Sequence, residues 1–170
     1  MLKKTVIMGI DPGLADTGFG IIEKQGKNLT VLDFGSIKTS SDGATEDRLK
    51  EIYKNLNQLI KKYRPEKIAI EKLFFSKNVK TALAVGQARG VAILAAGNNR
   101  LKIAEFTPLQ VKQAITSYGK ADKKQIQQMV KIILNLKSPI KSDDAADALA
   151  IAICYAHSFL ENPPKKKFLN

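Results

Sequence analysis

An α/β fold is predicted from two features of the chain. Short apolar runs rich in Ile and Val alternate with longer stretches of helical periodicity. Gly, Pro or a small polar cluster stands at most of the junctions between them. The chain has 170 residues, 44% of them hydrophobic, enough for one domain with a full core. Residues 1–160 are assigned to that domain. Residues 161–170, with Pro163-Pro164-Lys165-Lys166-Lys167, are read as a flexible basic tail.

The opening stretch Val6–Ile22 reads as two strands joined by a tight turn. Val6, Ile7, Met8 and Ile10 form the nearly continuous apolar run of a strand buried on both faces. Asp11 ends it, followed by the turn residues Pro12 and Gly13. The second strand carries Gly18 and Gly20, which permit a close backbone approach or a bulge. Asp is depleted in strands and costly to bury unpaired. Asp11 therefore either caps its own turn or serves as a metal ligand in the middle of a sheet.

A third strand is expected over Leu29–Ile37, with Asp33 marking a bulge or an edge. A first helix follows from about Thr45 to Tyr63, with Leu49, Ile52, Leu56, Leu59 and Ile60 on one stripe. Arg64-Pro65 stops it. Lys67–Ile70 is a short buried strand, and Glu71 stands at its end. This second strand-terminal acid is either a solvated terminus or a partner for Asp11. The loop from Lys72 to Asn78 holds the adjacent aromatics Phe74 and Phe75. One of them, exposed beside Lys72 and Lys77, would suit stacking or wedging on bases. A Phe folded under as a plug is the competing reading.

The second helix, about Val79 to Gly97, is dense in Ala and Gly. Ala82, Gly86 and Gly90 form a smooth ridge, which packs on its own sheet or receives another helix. Lys102–Phe106 is the fifth strand. Thr107-Pro108-Leu109-Gln110 then starts a helix with an N-cap Thr, Pro at the first position and a capping-box Gln. That helix is expected to end near Tyr118-Gly119, and another starts at Asp122–Gln125 with Ile126, Met129, Val130, Ile133 and Leu134 on its stripe. The pair could form a helix-turn-helix, but Lys120, Lys123 and Lys124 in the turn fit phosphate contact better than base readout.

The last helix opens Ser142-Asp143-Asp144-Ala145-Ala146-Asp147. Ser142 is a good N-cap, and the helix dipole favours acids in a first turn. That accounts for Asp143 and Asp144 but poorly for Asp147. Asp144 and Asp147 share a face among alanines, which let the helix lie close to a sheet. Proximity to Asp11 and Glu71 would give four oxygen donors with no His or Cys, a set suited to Mg²⁺ or Mn²⁺. Clustered carboxylates repel one another and call for a cation. A pair of such ions can activate water and stabilise the leaving oxygen in phosphodiester hydrolysis.

Charge narrows the partner. The net charge of +12 suggests a polyanion, either nucleic acid or a membrane surface. Lys72–Lys102 holds six basic residues and no acid, and Lys112–Lys141 holds seven lysines and one acid, Asp122. No apolar run has transmembrane length and no signal peptide is evident, so a soluble cytoplasmic protein without a membrane partner is expected. Cys154 lies in an apolar helical run and reads as a core residue. His157, the single histidine, reads as a packing or dipole residue near a helix end.

Three blocks in order, GIDPGLADTGFGII, AIEKLFFSKNVKTALAVGQARGVAI and DDAADALAIAI, resemble the RuvC family of Holliday-junction resolvases. The resemblance extends from about Met8 to Ala156. It implies a ribonuclease H-like fold, with a five-stranded mixed sheet flanked by helices. It further implies a homodimeric, Mg²⁺-dependent endonuclease that nicks two opposed strands of a four-way DNA junction in recombination and repair. A two-metal site is implied, with Mn²⁺ able to substitute, and so is a branch-migration motor complex as partner. By position, the catalytic and metal-binding acids are Asp11, Glu71, Asp144 and Asp147. Asp143 falls outside the two-acid DxxD spacing. Phe74 takes the place of the junction-contacting aromatic, with Lys77 beside it. Lys112 and Lys123 resemble the DNA-contacting lysines, and Lys124 adjoins them.

Three other readings compete. They are a related ribonuclease H-like enzyme acting on another nucleic acid, a protein that holds junctions without cutting, and an actin-like ATPase built on the GIDPG hairpin. The four acids argue against mere binding. A single domain argues against the ATPase, which needs two lobes around its nucleotide.

Overall fold

The structure is a computed structural model and describes residues 2–72, 79–117 and 119–161. Among the described residues, five strands and five helices follow one another as β1 (Lys4–Asp11), β2 (Asp16–Gln25), β3 (Asn28–Lys38), α1 (Thr45–Tyr63), β4 (Lys67–Glu71), α2 (Val79–Asn98), β5 (Lys102–Phe106), α3 (Pro108–Thr116), α4 (Lys123–Ile133) and α5 (Asp143–Glu161). The sheet has the order β3-β2-β1-β4-β5. β1, β2 and β3 run antiparallel as a meander, whereas β4 and β5 run parallel to β1. The expected five-stranded mixed sheet with flanking helices is present.

Alternation along the strands divides the core in two. Met8, Ile10, Ile21, Ile68 and Ile70 point to one side, where Ile52, Leu56 and Ile60 of α1 and Ala88, Ala92 and Ala95 of α2 cover them. Ile7, Ile22 and Ala69 point to the other, against α5 with α3 and α4 outside it. The central side chains Ile7, Met8 and Ile10 are fully buried, and each such burial stabilises by about 1.5–3 kcal/mol.

α5 lies on the sheet at very short range, and small residues on both sides permit it. A Cβ on Gly9 would meet the Ala148 carbonyl oxygen at 2.1 Å, and one on Gly18 would meet that of Asp144 at 2.0 Å. Ala145, Ala146, Ala148 and Ala152 supply the smooth side of the helix. The close approach expected at Gly18 and Gly20 is therefore made to α5.

Local expectations hold with small shifts. A register irregularity between Ile21 and Ile22 of β2 opposes Asp33 and Val31 of β3, so the bulge signalled by Asp33 is there. Asp33 also accepts from the Tyr63 hydroxyl at 2.5 Å. Thr107 caps α3 with the reciprocal Gln110 bond, and Asp122 with Gln125 repeats the capping box on α4. α3 ends at Thr116, two residues before the expected Tyr118, because Ser117 takes a left-handed conformation and closes the helix onto the Gln113 carbonyl. Ser142 accepts from the Ala145 amide at 3.2 Å, as an N-cap should. Cys154 is buried, with its thiol pushed up to about 12 by burial, and His157 Nδ1 lies 3.1 Å from the Ala114 carbonyl. Both are packing residues.

Candidate active site

The alternation that builds the core also builds the site. Ile7, Gly9 and Asp11 share one face of β1, and Ala69 and Glu71 share the same face of the neighbouring parallel β4. Gly9 and Ala69 lie beneath α5. One step on, at the carboxyl ends of both strands, Asp11 and Glu71 emerge beside the first turns of that helix. Gly18 pairs with Asp11 across β1 and β2 and sits directly under Asp144. Asp147 lies one turn further along α5. Three elements thus bring Asp11, Glu71, Asp144 and Asp147 to one end of the sheet.

The turn after β1 does not use Asp11 as a cap. The Gly13 amide donates to Thr17 Oγ1 at 3.4 Å, and the Thr17 hydroxyl donates to the Gly13 carbonyl at 2.6 Å. Thr17 is fully buried, and Thr39 ties the turn from outside, its hydroxyl donating to the Leu14 carbonyl at 2.6 Å and its amide to that of Ala15 at 3.0 Å. The turn-capping reading of Asp11 is thereby overturned.

The electrostatics are those of crowded, partly desolvated acids. Burial, then repulsion from Asp147, Glu71 and Asp144, raises the Asp11 carboxyl to about 7. Glu71 is raised by burial and by Asp147, against the pull of Lys112. Burial raises Asp147, with Lys123 acting against it, and burial followed by Asp16 raises Asp144. Among the described residues, no three Asp, Glu, His or Cys side chains form a group that could hold an ion as they stand. The donor chemistry nevertheless fits a hard divalent cation: four carboxylates and no softer ligand, their mutual repulsion relieved by positive charge. Bringing them onto one ion takes side-chain movement.

A cleft of about 270 Å³ opens beside the acids, lined by Glu71 and Asp147 together with Lys112, Lys123, Val111 and Ile126. Lys112 faces Glu71 from α3. Lys123 Nζ lies 3.0 Å from Asp143 Oδ2 and 3.5 Å from Asp147 Oδ2, so this lysine is turned into the site. Lys124, next to it, is exposed and is not among the residues lining the cleft. Phe74 and Lys77, also singled out from the sequence, lie outside the described residues.

Two residues were missed or left without a role. Asp16, at the start of β2, has the same facing as Gly18, and its Oδ1 is buried without a hydrogen-bond partner among the described residues. The signal was in the sequence as a strand acid two residues before Gly18. Asp143 is more than a dipole residue: it accepts from Gln127 Nε2 at 2.7 Å as well as from Lys123. Only the packing of α4 on α5 reveals that.

The chain is similar to known proteins over most of its length. The family model for crossover junction endodeoxyribonuclease RuvC matches residues 7–155. The crossover junction endodeoxyribonucleases RuvC of Alkaliphilus metalliredigens and Alkaliphilus oremlandii are 57% and 59% identical over 153 residues, covering 90% of this chain and 93% of each relative. Among solved structures, Thermus thermophilus RuvC in complex with a Holliday junction substrate superposes with a TM-score of 0.87 at 33% identity, covering 92% of this chain and 96% of that one.

Proposed function

The chain belongs to the RuvC family of crossover junction endodeoxyribonucleases, and we propose that it resolves four-way DNA junctions by paired metal-dependent nicks on Asp11, Glu71, Asp144 and Asp147. It is an endonuclease of Holliday junctions, acting in recombination and repair as its family does. The observation that carries the assignment of residues is the convergence of these acids, from β1, β4 and α5, beside a lysine-lined cleft.

The metal is Mg²⁺ in this reading, with Mn²⁺ able to replace it, and the four carboxylates hold a pair of ions. When bound, such ions supply Lewis-acid activation of water and charge stabilisation at the phosphate. The chain's own residues do the rest. Burial and mutual repulsion raise these acids, so a cation that relieves the repulsion is favoured among them. Lys112 and Lys123 meet phosphate oxygens in the cleft, while the exposed Lys124 engages the backbone further out. Phe74 and Lys77 engage the distorted bases and backbone at the crossover.

The working unit is a two-fold homodimer, since two opposed strands of a nearly symmetric substrate must be cut. The outward face of α2 supports this. Its sheet side is Ala88, Ala92, Ala95 and Ala96, whereas Leu83 (65% exposed), Gly90 and Leu94 (55% exposed) face away from the sheet. A cytoplasmic location and a branch-migration motor as partner complete the proposal. Among the described residues no helix is long and apolar enough to cross a membrane.

The deciding experiment incubates the protein and Mg²⁺ with a synthetic four-way junction, a duplex and a single strand of the same sequences. Symmetric nicks confined to the junction are expected. Binding without nicks, or equal nicking of all three, would overturn the proposal.

A further inference from the structure

α4 and α5 meet through two matched pairs of residues, each pair four apart on its own helix. Lys123 and Gln127 come from α4, Asp143 and Asp147 from α5. Gln127 Nε2 donates to Asp143 Oδ1 at 2.7 Å. Lys123 Nζ donates to the other oxygen of Asp143 at 3.0 Å and reaches Asp147 Oδ2 at 3.5 Å. The Asp143 carboxylate is thus held at both oxygens, and the ammonium is shared between a peripheral acid and a member of the central cluster.

That sharing sets up a competition. A divalent ion on Asp147 and the Lys123 ammonium cannot both stay against the same carboxylate, because like charges at such range repel strongly. Lysine carries its charge on a flexible stem and can swing without moving its helix. Asp143 offers it a place to swing to.

Resting on the reading of Asp147 as a metal ligand, we infer that Asp143, braced by Gln127, is a positioning residue that lets Lys123 yield Asp147 to a metal ion. Before the ion arrives, Lys123 neutralises part of the cluster's charge. As the ion takes Asp147, the ammonium leaves that carboxylate but stays on Asp143, at the rim of the cleft where a DNA phosphate enters. Without the Asp143 charge, Lys123 would have Asp147 as its remaining acid and would resist displacement. The competing account makes Asp143 an ordinary favourable acid at the N-terminus of α5, acting independently of Lys123.

The two accounts separate in a double-mutant cycle read by calorimetric titration of Mn²⁺ into the full-length, DNA-free protein. Lys123→Met removes the competitor and should tighten Mn²⁺ binding by about three- to tenfold. Asp143→Asn alone should weaken it by about three- to tenfold. In the Lys123→Met background, Asp143→Asn should change it by less than about twofold. Asp143→Glu, which keeps the partner for Lys123, should return affinity to within about twofold of wild type. Circular dichroism checks that each variant is folded. Equal weakening by Asp143→Asn in both backgrounds would overturn the inference while leaving the metal site intact. Absence of Mn²⁺ binding by the wild-type protein would instead overturn the metal reading of the acids, and the inference with it.

Discussion

Gly18 lies directly under Asp144, so close that a Cβ on the glycine would meet the Asp144 carbonyl oxygen at 2.0 Å and its Cβ at 3.0 Å. The contact sets the height of the α5 start above the sheet, and with it the position of Asp144 and Asp147 relative to Asp11. Backbone is met here, so no side-chain rotation can relieve an added methyl.

Gly18→Ala should therefore lift the first turn of α5. Overpacking of this kind costs about 1–3 kcal/mol, readable as a lower denaturation midpoint. Cleavage should fall further than stability accounts for, because the acids move apart. Measured at a temperature where the variant is fully folded, an unchanged nicking rate would show that the α5 height does not matter to the site.

Asp11→Asn should leave junction binding largely intact and nearly abolish cleavage. Loss of a ligand contributing about 4 kcal/mol to the transition state implies roughly thousandfold slower nicking. Gel-shift and single-turnover nicking assays on one four-way junction separate the two effects. Near-normal nicking in Mg²⁺ would remove Asp11 from the site.

The same substitution should stabilise the ion-free protein, with a definite pH dependence. The folded-state value of Asp11, about 7, lies above the ordinary 3.8. Between those values the folded chain keeps a proton that the unfolded chain has released, so stability falls as pH rises from about 4 to about 7 and then levels off. The penalty at pH 8 is at most on the order of 4 kcal/mol. In EDTA, Asp11→Asn should unfold at higher denaturant than wild type at pH 8, with the gap closing towards pH 4. A pH-independent gap would mean that the Asp11 charge is not what strains the cluster.

Junction binding should weaken steeply with salt. If about 6–10 phosphates are neutralised, affinity falls by roughly 10³–10⁵ between about 50 and 200 mM salt. Lys112→Ala, Lys123→Ala and Lys124→Ala should each reduce the slope by about one ion released. A flat response in fluorescence anisotropy would show that the basic half of the chain serves solubility alone.

A dimer should form through the outward face of α2. A Cβ at Gly90 meets nothing within 4 Å, so Gly90→Leu can be accommodated by the isolated fold. It should yield a folded monomer that binds junctions weakly and resolves them poorly. Sedimentation velocity decides: a Gly90→Leu variant that still dimerises like wild type excludes this face, and a wild type that stays monomeric with junction DNA excludes the dimer.

The sequence by itself determined the element order and the chemistry of the acids. Hydrophobic period and capping residues are local properties, which is why Thr107–Gln110 and Ser142 marked helix starts correctly. An acid ending each of two buried strands, Asp11 and Glu71, is equally visible in the chain because it breaks a local rule. Tertiary structure alone decided which of several open readings held. The buried Thr17 hydroxyl, not Asp11, closes the turn, and the ridge residue Gly90 faces away from the sheet. It also joined Lys123 to Asp143 and Asp147, and Asp16 to the edge of the site. These relationships depend on the height at which α5 lies on the sheet and on how α4 packs against α5. Packing of small residues far apart in the chain sets that geometry, and no local pattern encodes it.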